Sequence, residues 1–279
     1  MTDLAGRTIL ITGANTGIGL ATSRALAARG AALFLACRSE SKARTVIDRI
    51  TTQTGNDKLT YLSLDLGDLT SVRECAETFL SLDRPLHVLI NNAGLAGRRG
   101  MTGSGFELAF GTNHVGPFLL TALLVDRLAQ SAPARIVNVA SDAHRSARGI
   151  DFDAARRPTR SRTGMPEYGV SKLANVLHAQ ELARRLTGTG VTTYSLHPGV
   201  IASDIWRRVP WPIRPLIKLR MGTTDDGART TLYCATSPEP ASESGGYYVD
   251  CRRQASASVA TPELAGELWE RSTAWTNGT

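Results

Sequence analysis

Tyr168 and Lys172 are the residues whose types and spacing point most directly to chemistry in this 279-residue chain. They stand at i and i+4 of a segment with a helical pattern, so both side chains emerge on one helix face. A free phenol has a pKa of about 10 and exchanges its proton poorly at neutral pH. A neighbouring ammonium group favours the phenolate and lowers that pKa. The pair therefore predicts a group for proton transfer.

Ser141 and Asn113 are further candidates for the same chemistry. Ser141 follows an apolar, strand-like run at 135–140, and its hydroxyl can donate to an oxygen that gains negative charge. Asn113 lies in a helical pattern from 105 to about 129, just before Gly116-Pro117, where a kink or break is expected. Taken singly, each residue is more simply a cap, a turn residue or a packed side chain. The hypothesis that these residues are catalytic rests on the order in which all of them occur along the chain.

A glycine-rich turn near the N-terminus predicts a site for a nucleotide pyrophosphate. It lies between an apolar, β-branched run at 8–11 and a helical pattern at 20–29. Glycines let the backbone turn sharply and approach a ligand, and the N–H groups of the first helical turn face an anion. The spacing Gly-x3-Gly-x-Gly differs from the dinucleotide fingerprint Gly-x-Gly-x-x-Gly. The candidate cofactor-binding residues of this turn are Gly13, Asn15, Thr16, Gly17, Ile18 and Gly19.

Arg38 bears on the identity of the nucleotide. It follows an apolar run at 32–37, about twenty residues past the glycine turn, where an acid would bind the ribose of NAD or an arginine the 2′-phosphate of NADP. A guanidinium pairs well with a phosphate, whereas a carboxylate would repel it. NADP(H) is therefore the favoured cofactor, and an exposed arginine at a helix start is the simpler alternative.

The elements that must position these residues alternate between strand and helix. The predicted strands are 8–11, 32–37, 59–64, 86–90, 135–140, 191–196 and 246–249. This alternation predicts an α/β fold, a single Rossmann-type, doubly wound parallel sheet of about seven strands with helices on both faces. Such sheets bind ligands beyond the carboxyl ends of their strands, where Asp65, Asn91 and Ser141 fall. Without a linker or repeat, residues 1–279 are expected to form one domain.

Composition and charge exclude several classes of protein. The chain is 42% hydrophobic and 20% charged, as soluble globular proteins are. Its four cysteines lack the spacing of metal ligands, so no metal site is expected. The net charge of +7 invites a nucleic-acid hypothesis, but no aromatic platform or nucleic-acid motif accompanies the arginines, so no such partner is expected. Without a signal segment or an apolar run of about 20 residues, a cytoplasmic protein is expected.

The ordered set of motifs resembles the short-chain dehydrogenase/reductase family over nearly the whole chain. The motifs are Thr12-Gly13-x3-Gly17-x-Gly19, Asp65, Asn91-Asn92-Ala93-Gly94, Asn113, Ser141, Tyr168-x3-Lys172 and Pro198-Gly199. The residues at 35–38, 171–175, 189–194 and 197–199 are similar to the retinol dehydrogenase subgroup. Membrane-anchored animal members of that subgroup carry an apolar N-terminal segment. The first residues of this sequence show no such segment, so a soluble relative is expected.

The resemblance implies roles for individual residues. Lys172 is also expected to hold the nicotinamide ribose hydroxyls, and Asn113 to distort its helix and hold a water that relays protons to Lys172. Ser203 stands near the place of the family's usual threonine after Pro-Gly and could supply that hydroxyl. Asp65 is expected to reach the adenine amino group. The cofactor-binding residues beyond the glycine turn are Arg38, Asp65, Leu66, Asn91, Ala93, Gly94, Tyr168, Lys172, Pro198, Gly199, Val200 and Ser203.

Two segments, about 142–167 and 201–221, are expected to form the substrate lid. The second is apolar and aromatic among basic residues, which predicts a lipophilic substrate and also suits contact with a membrane surface. The favoured function is an NADP(H)-dependent oxidoreductase that interconverts an alcohol and its aldehyde or ketone on a retinoid-, steroid- or fatty-aldehyde-like substrate. The alternatives are a reductase of a polar biosynthetic ketone, a reductase of a carbon–carbon double bond and a non-catalytic NADPH sensor. Family resemblance allows a homodimer or homotetramer.

Overall fold

A central eight-stranded sheet organises the computed structural model, which describes residues 3–199 and 223–277. The strands are β1 (Thr8–Thr12), β2 (Ala32–Cys37), β3 (Leu59–Ser63), β4 (Val88–Asn91), β5 (Ala134–Val139), β6 (Val191–His197), β7 (Gly246–Val249) and β8 (Arg252–Gln254). The helices are α1 (Gly17–Ala27), α2 (Glu40–Thr54), α3 (Leu69–Ser81), α4 (Leu108–Phe110), α5 (Gly116–Gln130), α6 (Met165–Arg185), α7 (Thr224–Thr236) and α8 (Pro262–Asn277).

The strand order is β3-β2-β1-β4-β5-β6-β7-β8, and the first seven strands run parallel. The predicted α/β fold with a mostly parallel sheet is thus confirmed. β8 was not predicted; it pairs antiparallel with β7 through a turn in which Asp250 and Cys251 have positive φ. The order reverses between β1 and β4, and a crevice forms at such a point in open parallel sheets.

Two layers of apolar side chains pack the helices against opposite sheet faces. Leu10 of β1 joins a cluster that includes residues of α3, α5, α6 and α8. Its neighbours Ile9 and Ile11 face the other way and join residues of α1, α2 and α7. Successive strand residues point to opposite faces, so a sheet covered on both sides needs continuous apolar strands. This is why the strands here are apolar runs.

Local contacts fix the starts of α3 and α6. Asp68 caps α3 by accepting from the Thr70 N–H at 2.9 Å. The Ser71 hydroxyl accepts from the Asp65 N–H at 3.0 Å, so it holds the end of β3. α6 begins at Met165, three residues before Tyr168, with proline in its first turn. Tyr168 is therefore held by a formed helical turn on each side.

The helical stretch Leu108–Gln130 is perturbed one turn earlier than expected. A π-helical turn, Gly111–Val115, lies between α4 and α5, and Pro117 sits in the first turn of α5 without breaking the helix. Among the described residues this stretch is long and apolar enough to cross a membrane, with a mean hydropathy of 1.4, but 72% of it is buried in the protein. Its burial is that of a core helix.

All five histidines have pKa values below the ordinary value because burial disfavours the imidazolium. His178 is the clearest case, with a pKa lowered to about 3. Its ring lies 5.7 Å from His114 and packs against Phe118 and Trp269. Neither His114 Nδ1 nor His178 Nε2 has a hydrogen-bond partner among the described residues. Both rings are thus neutral in the folded protein.

We expect stability to fall as pH drops below the ordinary histidine pKa. Below that pH the histidines of the unfolded chain bind protons, whereas the buried rings of the folded protein stay neutral. Their contribution to the free energy of unfolding is therefore fully present above pH 6.5 and is lost towards lower pH. His178, with its pKa lowered to about 3, accounts for about 1.5 kcal/mol between pH 6.5 and 5. Urea unfolding at the two pH values measures the change, and His178→Leu should reduce it. An unchanged pH dependence in that variant would contradict a neutral His178.

Candidate active site

A cleft of about 620 Å³ lies beyond the carboxyl ends of β1 to β4, at the predicted crevice. Most of the cofactor residues predicted from the sequence line it, and several unpredicted residues do too. The lining residues are Gly13, Asn15, Thr16, Gly17, Ile18, Gly19, Ala36, Cys37, Arg38, Ser39, Lys42, Leu64, Asp65, Leu66, Asn92, Ala93, Gly94, Leu95, Arg98, Leu108, Thr112 and Thr224. Such a cleft has the size of typical cofactor sites.

The glycine turn is held against the loop after β4. Gly13 has φ +64°, and a Cβ on Gly19 would come within 2.3 Å of the Gly13 carbonyl oxygen, so both positions require glycine. The Thr12 hydroxyl accepts from the N–H groups of Asn92 and Ala93, each at 3.0 Å. The Asn92 side chain donates back to the Thr12 carbonyl at 2.9 Å. These contacts fix one wall of the cleft.

The N-terminus of α1 is arranged to receive an anion. Thr16 at the cap makes no side-chain hydrogen bond, and the first turn carries no acidic residue. A Cβ on Gly17, which has φ +54°, would meet nothing within 4 Å, so the turn leaves open space at the helix start. α7, by contrast, is closed by a complete capping box between Thr223 and Asp226. The donors of α1 are therefore left for a ligand.

Charge at the other end of the cleft is positive. Arg38 and Lys42 are exposed and make no ion pair with the described residues. Glu40 lies between them in sequence but is bound by Arg44 at 2.6 Å. Asp65 Oδ1 accepts from the Gly67 N–H at 2.9 Å, and Oδ2 makes no hydrogen bond with the described residues. This end of the cleft thus offers two cations, Arg38 and Lys42, and one carboxylate oxygen.

The structure distinguishes Asn91 from Asn92. The Asn91 side chain is buried and donates to Thr121 and Asn138, each at 3.0 Å, and it does not line the cleft. Strand alternation turns it away, and Asn92 takes the place expected of it. Pro198 and Gly199 directly follow β6, and neither lines the cleft. Val200, Ser203 and the lid segment 201–221 lie outside the described residues.

Tyr168 and Ser141 meet at the ends of α6 and β5. The nearby Ser141 hydroxyl lowers the pKa of Tyr168, but burial outweighs it, so the pKa is raised overall. The expected lowering by Lys172 is therefore wrong for the protein without ligand. The Lys172 Nζ lies 5.6 Å from the phenol ring centroid and donates to the Val139 carbonyl at 2.7 Å, which directs its charge elsewhere.

Lys172 reaches the cleft wall from inside the protein. It is 4% exposed, and burial lowers its pKa to about 8, so it remains mostly an ammonium at neutral pH. A Cβ on Gly94 would lie 3.3 Å from its Nζ and 3.2 Å from the Asn113 Oδ1. Glycine at position 94 thus lets Lys172 and Asn113 approach the loop that lines the cleft.

Asn113 lies in the π-helical turn, as expected of a residue that distorts its helix. Its amide bonds both backbone groups of Leu95, at 2.9 Å each, and donates to the Ser171 hydroxyl at 2.9 Å. Ser171 in turn donates to the Tyr168 carbonyl at 2.7 Å. Through these bonds the Asn113 side chain connects the cleft loop to the helix of Tyr168.

The Asn113 backbone carbonyl has one donor fewer than in a regular helix. Because Pro117 has no N–H, it cannot donate the α-helical hydrogen bond to that carbonyl.

The segment 142–167, expected to serve as part of a lid, is packed onto the protein. The Glu107 N–H donates to the Ala155 carbonyl at 2.8 Å, and the Thr159 hydroxyl bonds the buried Glu107 carboxylate. Arg156 lies 4.2 Å from the centroid of the Phe106 ring. Burial raises the pKa of Glu107, against the hydrogen bond from Thr159. These contacts anchor the middle of the segment.

Comparison with known proteins agrees with this geometry. The model of the short chain dehydrogenase family matches residues 7–211. This chain belongs to that family. Human retinol dehydrogenase 11 is 44% identical, over 96% of this chain and 85% of its own length. The short-chain dehydrogenases are oxidoreductases that act on CH–OH groups with NAD(P)(H), and the chain is one of them.

Solved structures show the same short-chain dehydrogenase fold. The crystal structure of an uncharacterized Mycobacterium paratuberculosis protein is 33% identical with a TM-score of 0.79, covering 99% of this chain and 96% of that chain. The Pseudomonas aeruginosa RhlG/NADP active-site complex is 26% identical with a TM-score of 0.68, covering 88% of this chain and 94% of that one. The fold thus occurs in a relative whose structure holds NADP.

Several cleft residues escaped the sequence analysis. Asn92, Lys42 and Arg98 line the cleft, as do Thr112 and Thr224. For Asn92 a signal existed, because the alternation of strand residues places 91 and 92 on opposite sides. Arg98 and Thr224 come from loops and helix starts far apart in sequence, and no local pattern marks them. In the part of the chain that the structure describes, no group of metal-ligand residues is found.

Proposed function

We propose that this chain is an NADP(H)-dependent oxidoreductase that interconverts an alcohol and its aldehyde or ketone on a lipophilic substrate. The observation that supports it best is the convergence of Ser141, Tyr168 and Lys172 near one wall of the cleft. Ser141 is close enough to Tyr168 to affect its pKa, and Lys172 lies next to Gly94, which lines the cleft. A proton donor, a polar partner for the same oxygen and a cation are thus grouped beside a dinucleotide-sized crevice.

The residues present fit a phosphorylated dinucleotide. The uncapped α1 N-terminus and open space at Gly17 suit a pyrophosphate, and Asp65 Oδ2 suits an adenine amino group. Arg38 and Lys42, without acidic partners among the described residues, suit a 2′-phosphate. When bound, the nicotinamide supplies or accepts a hydride at the carbonyl carbon.

Proton movement is the work of the chain's own side chains. The raised pKa of Tyr168 keeps its proton at neutral pH, which suits a general acid that protonates the reduced carbonyl oxygen. The Ser141 hydroxyl donates to the same oxygen as negative charge develops. Lys172, mostly an ammonium at neutral pH, would hold the nicotinamide ribose hydroxyls. The Asn113 carbonyl, without a donor at position 117, holds the water that returns protons to Lys172.

The lipophilic substrate rests on a different argument. The 44% identical human relative is named a retinol dehydrogenase, and retinol is an apolar alcohol. Residues 201–221, which are apolar and aromatic in sequence, follow β6 directly and are suited to cover such a substrate. A homodimer or homotetramer and a cytoplasmic location complete the proposal.

Oxidation of NADPH by the purified protein tests this function. The panel contains retinal, medium-chain aldehydes, steroids and polar ketones, with NADH in parallel and Tyr168→Phe as the inactive reference. Turnover of apolar members with NADPH is the expected result. Activity confined to polar ketones would overturn the lipophilic substrate and retain the catalytic residues. NADPH binding without turnover of any panel member would argue for a sensor.

A further inference from the structure

A polar network lies directly behind Ser141, and none of its members lines the cleft. The Ser141 hydroxyl accepts from the Ala143 N–H at 3.2 Å, so its own hydrogen is left for Tyr168 or for a substrate oxygen. His144 is fully buried, and its Nε2 accepts from the Ala257 N–H at 3.0 Å. Its Nδ1 therefore carries the proton and donates to the Ser141 carbonyl at 2.7 Å. Both the side-chain hydroxyl and the backbone carbonyl of Ser141 are thus held by hydrogen bonds.

Asp142 anchors the next residue along the chain. Its N–H donates to His197 Nδ1 at 3.3 Å, which leaves the proton of His197 on Nε2, 3.6 Å from Asp142 Oδ2. Oδ1 accepts from the Tyr247 hydroxyl at 2.9 Å and from Arg145 at 3.4 Å. These bonds bring together the ends of β5, β6 and β7. Ser141 is therefore connected to three neighbouring strands.

The helix of Tyr168 packs tightly on this same segment. A Cβ on Gly169 would come within 2.8 Å of the Ser146 hydroxyl and 3.0 Å of the Ala143 carbonyl oxygen. The segment Asp142–Ser146 forms a short 3₁₀ helix, with Ser141 as its cap. The approach at Gly169 fixes the distance from Tyr168 to that segment, and the network fixes where Ser141 sits on it.

We propose that Asp142, His144 and Tyr247 are positioning residues that hold the Ser141 hydroxyl in line with the reacting oxygen. The inference rests on the proposed function, in which Ser141 donates to that oxygen. A hydroxyl has a single proton, and its value in a transition state depends on distance and angle. A misplacement of about 1 Å costs up to about a hundred-fold in rate. The hydrogen bonds around Asp142, His144 and Tyr247 keep the Ser141 hydroxyl from being misplaced in this way.

Tyr247 and Tyr248 provide a matched pair of variants. Both are buried residues of β7, and each donates its hydroxyl to a carboxylate, Tyr247 to Asp142 and Tyr248 to Glu243 at 2.5 Å. As neighbours on a strand they face opposite sides of the sheet. Tyr248 packs with Tyr194 in the layer that contains Ile9 and Ile11. Replacing either with phenylalanine removes one such bond and keeps the ring. Only the first change loosens Ser141.

Steady-state kinetics on the reactive substrate are the first test. Tyr247→Phe should lower kcat about ten-fold and leave KM and the NADPH Kd within about two-fold, because the substrate and cofactor contacts remain. Tyr248→Phe should leave kcat within about two-fold. In a Ser141→Ala background, Tyr247→Phe should cause no further loss. Equal losses in the two backgrounds, or equal losses in the two tyrosine variants, would overturn the proposal.

A second measurement does not depend on turnover, so it separates this inference from the proposed function. In protein labelled with [13Cζ]tyrosine, Tyr168→Phe identifies the Tyr168 signal among six tyrosines. Ser141→Ala removes the hydroxyl that interacts with Tyr168 and should shift that signal. Tyr247→Phe should shift it in the same direction, and Tyr248→Phe should not. A Tyr168 signal that moves with Ser141→Ala but not with Tyr247→Phe would overturn the positioning role, whether or not a substrate is known.

Discussion

Tyr168→Phe is expected to lower kcat by about a hundred- to ten-thousand-fold, which is the range for loss of a general acid. The phenylalanine keeps the ring that packs at the start of α6 and removes only the group that carries the proton. The interaction with the Ser141 hydroxyl is lost, while Lys172 keeps its contact with the Val139 carbonyl. Turnover of NADPH with the preferred carbonyl substrate measures the effect.

The control for Tyr168→Phe is cofactor binding. The NADPH Kd, read from nucleotide fluorescence, should stay within a few-fold of wild type, because the glycine turn, Arg38 and Asp65 are untouched. Tyr248→Phe supplies the matched buried tyrosine and should retain turnover. Residual activity near that of the wild type would refute the acid role. A large loss of NADPH binding would instead mean that the residue supports the cofactor site.

Arg38→Asp is expected to weaken NADPH binding by about one hundred-fold and to leave NADH binding within a few-fold. A hydrogen bond to a charged group contributes about 1.5–3 kcal/mol, and the new carboxylate adds repulsion to the loss. Lys42 remains near the phosphate, so binding should not be abolished. Dissociation constants for both nucleotides at one ionic strength measure the change in preference.

Arg44→Asp is the matched control for the cofactor preference. It makes the same change of charge six positions further along the chain, on α2, but Arg44 is bound to Glu40 and does not line the cleft. Its effect on NADPH should be several-fold at most, since exposed charges are screened. Equal losses in the two variants would show that general electrostatics, and not Arg38, sets the preference. Unchanged discrimination in Arg38→Asp would assign the phosphate to another residue.

Local patterns predicted most of the fold. Apolar runs such as 8–11 and 32–37 predict strands because a parallel sheet buries both faces, and both runs lie within strands. The N-terminus of α8 likewise follows from local residue types, with Pro262 first and the Thr261 hydroxyl accepting from the Leu264 N–H. β8 was missed because its three residues are polar and exposed. Such a strand depends on pairing with β7 and carries no periodic signal.

The order of the motifs, from the glycine turn to Tyr168 and Lys172, was determined by the sequence alone, and it was sufficient to place the chain in its family. The tertiary structure decided the state of those residues. Burial raises the pKa of Tyr168, and strand alternation turns Asn91 away from the cleft. The bond from Tyr247 to Asp142 spans 105 positions. Desolvation and long-range contacts depend on what surrounds a residue in space, and its neighbours along the chain do not encode that.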